Sequence, residues 1–287
     1  MNATMYAGFS ETVRQRGASL AAETAANLGC SSVEPLEMVG FGVTPTFDGE
    51  SEAKALRAEL DARGLHTACY SVGVNLWQEG MTPDTVTPME EALYHHARMA
   101  AALGSPFLHH TVLLGVPADA LTMQEALRLT VPAAIRIAKY AHSLGLICLY
   151  EGQGMYFNGV EGYRSFYEAV KQECPYVGVC GDIGNPFFVD EDSLDFFQSF
   201  AKEIRHVHIK DYLRTEDRPE NTMGWNPTRG GNWLKDTSVG QGCVKLPECL
   251  QVLKDVHYTG AYALEDIHGD NIEMNITDGI RYLKSHL

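Results

Sequence analysis

Four short apolar runs in the second half of the chain each end in residues that can bind a cation or move a proton. LICLYEGQ reaches Glu151, VGVCGDIGNP reaches Asp182, HVHIKD carries His206 and His208, and AYALEDI offers Glu265 and Asp266. His206 and His208 share one face, because side chains alternate along a strand. Three carboxylates and an imidazole gathered at one point would repel each other and suffer desolvation unless a cation neutralised them. One divalent metal ion does so. Hard oxygen ligands with one nitrogen suit Mn²⁺ or Mg²⁺, with Co²⁺ or Zn²⁺ also compatible, and disfavour thiolate-preferring metals. Each residue alone has a plain explanation: a Glu at a strand end caps or pairs, and a strand His packs in a core. Four together, each ending a strand, point to a metal site.

Further polar residues lie near the same predicted ends. His109 and His110 close FLHHTVLL, and one of the two must face inward. We assign His110 to substrate, with a second-shell or core role as the alternative. Lys210 could bind a substrate oxygen or pair with Asp211 to hold its loop. Arg214, Arg218 and Arg229, with Gly230-Gly231 and Gly240-x-Gly242, could receive a phosphate, or be solvated salt-bridge partners in an acidic loop. Solvated loop positions explain His66 and His268.

These residues need a scaffold that brings distant strand ends together. Predicted strands cover 5–9, 32–36, 66–74, 107–113, 147–150, 177–182, 206–210 and 262–265. Helical periodicity marks 52–63, 89–103, 123–144, 162–173, 194–201, 247–256 and 276–287. Glycines at 29, 64, 104 and 145 read as left-handed helix ends that feed the next strand. Eight strands alternating with helices give an α/β fold, a single (β/α)₈ TIM barrel over residues 1–287. A doubly wound open sheet would need a Gly-rich phosphate turn after an early strand, and none is present. The irregular stretch 212–244 follows the seventh strand. It reads either as a lid over the C-terminal mouth or as a packed excursion with its own short helix.

Composition narrows the partners. The 287 residues carry 22 Lys plus Arg against 37 Asp plus Glu, a formal charge of -15. That charge, without a basic patch, excludes nucleic acid and anionic membrane surfaces as partners. No run reaches the roughly 18 apolar residues of a membrane helix, and the N-terminus lacks signal-peptide organisation. The 7 cysteines include no C-x-x-C pair and fit small buried hydrophobes in a reducing cytoplasm.

In order, SSVEPL, YEGQ, GDIGNP, HVHIKDY, GQGCV and LEDI resemble the xylose isomerase-like TIM-barrel superfamily. That group includes sugar and sugar-phosphate isomerases and epimerases, inosose dehydratases and endonuclease IV-type repair enzymes. The resemblance implies Glu151, Asp182, His208 and Glu265 as metal ligands, His208 being preferred to His206 for its place before the x-Lys-Asp. It also implies a homo-oligomer. Two departures matter. Asn185 stands where the epimerases and repair enzymes carry a His, and the repair enzymes' later Asp-x-His is missing. DNA repair is therefore excluded, and Asn185 is assigned to substrate. The expected reaction is isomerisation or epimerisation of a sugar, sugar phosphate or polyol ketone through an enediolate, with Glu151 and Glu265 as proton carriers. Inosose-type dehydration at the same site is the alternative, and a barrel that binds without turnover the third reading.

Overall fold

The computed structural model describes residues 1–37, 49–269 and 271–287. Its strands are β1 (Asn2–Met5), β2 (Ser32–Val33), β3 (His66–Thr67), β4 (Tyr70–Val72), β5 (Phe107–His110) and β6 (Ile147–Tyr150). They continue with β7 (Gly178–Asp182), β8 (Ile204–Ile209), β9 (Asp211–Thr215), β10 (Trp225–Pro227), β11 (Trp233–Thr237) and β12 (Ala261–Leu264). The helices are α1 (Phe9–Arg16), α2 (Ala18–Asn27), α3 (Gly49–Asp61), α4 (Pro88–Leu103) and α5 (Met123–Ser143). After them come α6 (Gly159–Glu173), α7 (Ser193–Phe200), α8 (Leu246–Asp255) and α9 (Ile272–His286).

Nine strands form one sheet in the order β3-β2-β1-β12-β8-β7-β6-β5-β4, and every pairing in it is parallel. Only Ala68 and Cys69 separate β3 from β4, so one length of chain pairs with β2 on one side and β5 on the other. The two short strands thus act as a single stave, and the sheet closes into the expected barrel. The helices bury their apolar faces on its outside. In α5, Thr122 and Glu125 form a capping box, and Ala126, Leu129, Ala133, Ile137 and Ala141 face inward at helical spacing. In α6, Tyr163 is fully buried, and its hydroxyl donates to the Tyr150 carbonyl at 2.9 Å, fixing the end of β6 beside Glu151. The four expected helix-end glycines have φ of 83°, 70°, 74° and 82°.

Two expectations need correction. The first strand is Asn2–Met5 rather than 5–9, and Phe9 opens α1. Its polar Asn2 and Thr4 face the barrel interior, where both bond to Ser32, so apolar alternation gave no signal. The excursion 212–244 carries no helix of its own. β9, β10 and β11 form an antiparallel sheet in the order β10-β11-β9. Two carboxylates pin this flap. Asp190 accepts from the Thr228 hydroxyl at 2.9 Å and the Asn232 amide at 2.6 Å. Asp211 accepts from the backbone N–H of Tyr212, Gly240, Gly242 and Val244 at 2.9, 3.0, 2.8 and 3.1 Å. Among the described residues, no helix is long and apolar enough to cross a membrane.

A side chain at position 242 would collide with the Asp211 carboxylate and the Tyr212 carbonyl. Gly242→Ala is therefore expected to destabilise the protein by about 1–3 kcal/mol in denaturant unfolding. Faster amide exchange across 240–244 should accompany the loss. Unchanged stability and exchange would count against Asp211 as the anchor.

Candidate metal centre at the C-terminal mouth

Register decides which side chains meet. In a parallel sheet, paired residues point the same way and every second residue returns to that face. Ser71 pairs with His109, and His109 with Leu149, so Glu151 points inward beside His109. Asp182 pairs with His208, and His208 with Ala263, so Lys210 and Glu265 follow on the same inner face. Ser32 pairs with Thr4, which brings Glu34 and Tyr6 inward as well.

The inward groups converge on His208. Its Nδ1 lies 3.2 Å from Glu151 Oε2, 3.3 Å from Glu265 Oε2 and 3.6 Å from Asp182 Oδ2. These four atoms make no aligned hydrogen bond among the described residues, although all are buried. Glu151, Asp182 and His208 offer ligand atoms within 4.8 Å of one another. Buried carboxylate oxygens gathered around one imidazole nitrogen fit a divalent cation. Lys210 Nζ approaches the group from one side, 3.0 Å from Asp182 Oδ2, 2.9 Å from Glu265 Oε2 and 3.2 Å from Asn185 Oδ1.

A second network supports the first from below. Glu34 is completely buried. It accepts from His206 Nε2 at 2.6 Å, from His208 Nε2 at 3.1 Å and from the Ser71 hydroxyl. Because His208 gives its Nε2 proton to Glu34, Nδ1 is the nitrogen that faces the carboxylates, and it becomes a ligand atom once its own proton leaves. The Ser71 oxygen in turn accepts from His109 Nδ1 at 3.0 Å. His109 Nε2 is thereby left as an acceptor, 3.7 Å from Glu151 Oε2. The Tyr6 ring stacks on His208 with centroids 4.9 Å apart.

Charge follows these contacts. Burial pushes the Glu151 carboxyl up to about 7, only partly offset by His208. Burial acts the same way on Asp182, but Lys210 and His208 outweigh it and hold that carboxyl well below its usual range. Glu34 is likewise held down by His206 and His208 against its burial. Burial lowers His109 far below an ordinary imidazole, with His208 adding to the effect, so His109 is neutral. Burial disfavours the His208 cation, yet Cys180 and the ionised Glu34 raise it well above the usual range.

Of the residues expected from sequence, Glu151, Asp182, His208, Glu265, Lys210 and Asn185 come together. His110 and Arg214 do not. His110 Nδ1 lies 2.9 Å from the Thr111 carbonyl oxygen, and its ring packs edge-on to Tyr150, which faces the helix layer. The inward member of the pair is His109. Arg214 stands on β9 and pairs with Asp190 at 3.6 Å, where it helps hold the flap. Lys210 does not pair with Asp211, which serves the backbone of 240–244 instead. Sequence reasoning missed Ser71, Tyr6 and the central place of Glu34. The strand alternation that links Glu34 to Ser32 was the available signal.

Residues 22–286 match the family model described as xylose isomerase-like TIM barrel. No curated protein matches the chain. The fold is similar to that of D-allulose 3-epimerase from Methylomonas sp., with a TM-score of 0.73 at 16% identity, covering 100% of this chain and 98% of that one. It is also similar to the IolI protein solved with a bound zinc atom, with a TM-score of 0.75 at 14% identity over 100% and 99% of the two chains. A probable 3-DHS dehydratase from Bacillus anthracis aligns with a TM-score of 0.68 at 14% identity over 99% of both chains.

A cation entering this group must displace the proton that Glu151 holds below about pH 7. Mn²⁺ affinity is therefore expected to fall on the order of tenfold per pH unit below that point, with the His208 proton steepening the slope. Calorimetric titration across the range checks it. A flat profile would refute the shared use of Glu151 by proton and metal.

Proposed function

The chain belongs to the xylose isomerase-like TIM-barrel family, and from that premise we propose a divalent-metal-dependent isomerase or epimerase. Its substrate is a sugar, a sugar phosphate or a polyol ketone. The observation that carries this reading is the pair Glu151 and Glu265, whose Oε2 atoms lie 3.2 and 3.3 Å from the same His208 nitrogen. Two carboxyls flanking one point can remove a proton and return one. Glu151, Asp182, His208 and Glu265 would hold the ion, which supplies the charge that acidifies a C–H between a carbonyl and a hydroxyl.

The surrounding residues prepare the proton transfer. Glu151, with its carboxyl at about 7, gains or loses a proton near neutral pH. His109 presents an acceptor nitrogen to it and can carry that proton away. Lys210 and Asn185 offer N–H donors to substrate oxygens, the Asn185 Nδ2 being buried without a partner. Glu34 fixes the orientation and tautomer of His208.

A second reading is dehydration of a keto-inositol, in which the proton goes to a β-hydroxyl that leaves as water. Asn185 favours it, because it stands where the resembled epimerases carry a His that helps bind or polarise substrate.

Proton NMR in D₂O, with Mg²⁺-loaded protein and a panel of ketoses, their phosphates and inosose, tests both. Deuterium beside a carbonyl, together with a new epimer or aldose, is the expected result. Glu151→Gln and Glu265→Gln should each slow it about a hundredfold to ten-thousandfold. Loss of a hydroxyl to give an enone would reassign the enzyme as a lyase. No exchange with any compound, in protein that binds Mg²⁺, would leave a binding barrel.

Glu34→Gln is expected to weaken Mn²⁺ binding about tenfold to a hundredfold while the protein stays folded. Unaltered affinity would show that His208 needs no such partner.

A further inference from the structure

Outside the metal centre, Ser238, His268 and Asp266 form a hydrogen-bonded chain where the flap meets the loop after β12. The Ser238 Oγ lies 3.0 Å from His268 Nε2. His268 Nδ1 bonds to Asp266 Oδ1. Both Asp266 oxygens accept from backbone N–H groups, Oδ1 from His268 at 3.4 Å and Oδ2 from Val239 at 3.3 Å, so His268 Nδ1 is the donor to Oδ1 and Nε2 is the acceptor for the serine hydroxyl. We propose that Ser238 is an activated nucleophile that takes an acyl group from a small activated ester.

The geometry is held from several sides. Asp266 is buried, and its Oδ2 accepts from the Val239 N–H at 3.3 Å. Buried Asn275 of α9 donates to the His268 carbonyl at 2.7 Å and the Asp266 carbonyl at 3.4 Å, which fixes the loop carrying base and carboxylate. Ser238 is half-buried, and the His268 side chain is 27% exposed, so a small ester can reach them. Nucleophile, base and orienting carboxylate in hydrogen-bond sequence are the constellation that activates serine. Asp266 directly follows Glu265 in the chain, but the three residues make no side-chain hydrogen bond or ion pair with Glu151, Asp182, His208 or Glu265 among the described residues.

In the step, Ser238 Oγ bonds to the ester carbonyl carbon while its proton passes to His268 Nε2. The bond from that carbon to the leaving oxygen then breaks, and the departing alcohol takes the proton. The N–H groups of Val239, Gly240 and Gly242 are committed to Asp266 and Asp211, so they do not stabilise an oxyanion here. Both acylation and hydrolysis of the acyl-serine then proceed without that stabilisation, so acylation is slow and the adduct, once formed, persists at up to one equivalent per chain.

The test is incubation of the full chain with p-nitrophenyl acetate, reading nitrophenolate release and locating acetyl groups by peptide mass spectrometry. One equivalent of release with the acetyl group on Ser238 is expected, with or without a chelator. Ser238→Ala should abolish that adduct. His268→Gln should slow it on the order of a hundredfold while keeping the same melting temperature and Mn²⁺ binding. Absence of acetyl-Ser238 in the folded protein, or equal acetylation in His268→Gln, would overturn the proposal and leave the three residues as a latch between flap and loop.

Discussion

The centre of the barrel turns on one buried carboxylate, Glu34, shared between two imidazoles and a serine. An isolated charge at zero exposure would be costly, and removing its partners would leave that cost uncompensated. His206, His208 and Ser71 satisfy it together. The consequence reaches upward. A His208 ring bound through Nε2 must present Nδ1 to the mouth, so the nitrogen that meets the three carboxylates is selected by a contact made one layer below.

Barrel register then determines which neighbours can take part. Lys210 follows His208 by two residues on the inner face and reaches Asp182 and Glu265. Glu151 has His208 beside it but no ammonium ion pair, and the group on its other side, His109, is neutral. Two carboxylates of similar depth consequently differ in charge, Asp182 held ionised and Glu151 protonated up to about pH 7. In the proposed reaction that separation would let Asp182 stay a fixed ligand while Glu151 exchanges a proton.

The barrel was legible in sequence because β/α alternation and helix-end glycines are local signals. The meeting of Glu151, Asp182 and Glu265 around His208 was legible because the three carboxylates follow apolar runs and His208 lies near the end of another. The choice between His109 and His110 was not, since both positions satisfy the same tripeptide pattern and only pairing with Ser71 and Leu149 sets the inward one. The first strand escaped notice because its interior positions are polar. The flap was unreadable for a related reason: β11 buries only Leu234 fully, so its short strands have almost no apolar period. His268 looked like a solvated loop residue because Ser238 is brought to it from the flap, 30 residues away in sequence, although Asp266 lies only two residues before it on the same loop.

Acidic residues in this chain serve unlike purposes according to what surrounds them. Glu34 is neutralised by imidazoles and Asp182 by an ammonium and an imidazole. Asp190 and Asp211 are met largely by N–H and hydroxyl dipoles. The last two use the strength of charge-assisted hydrogen bonds to tie an antiparallel flap onto a parallel barrel, a junction that offers no shared ladder. The tie has a geometric consequence for the mouth. Asp190 ends the 3₁₀ turn that begins at Asn185, and Asp211 follows Lys210 directly. Both residues that offer N–H donors beside the carboxylates therefore sit on segments anchored by the flap. Moving the flap would move those donors, while the four candidate ligands stay fixed by the strands beneath them.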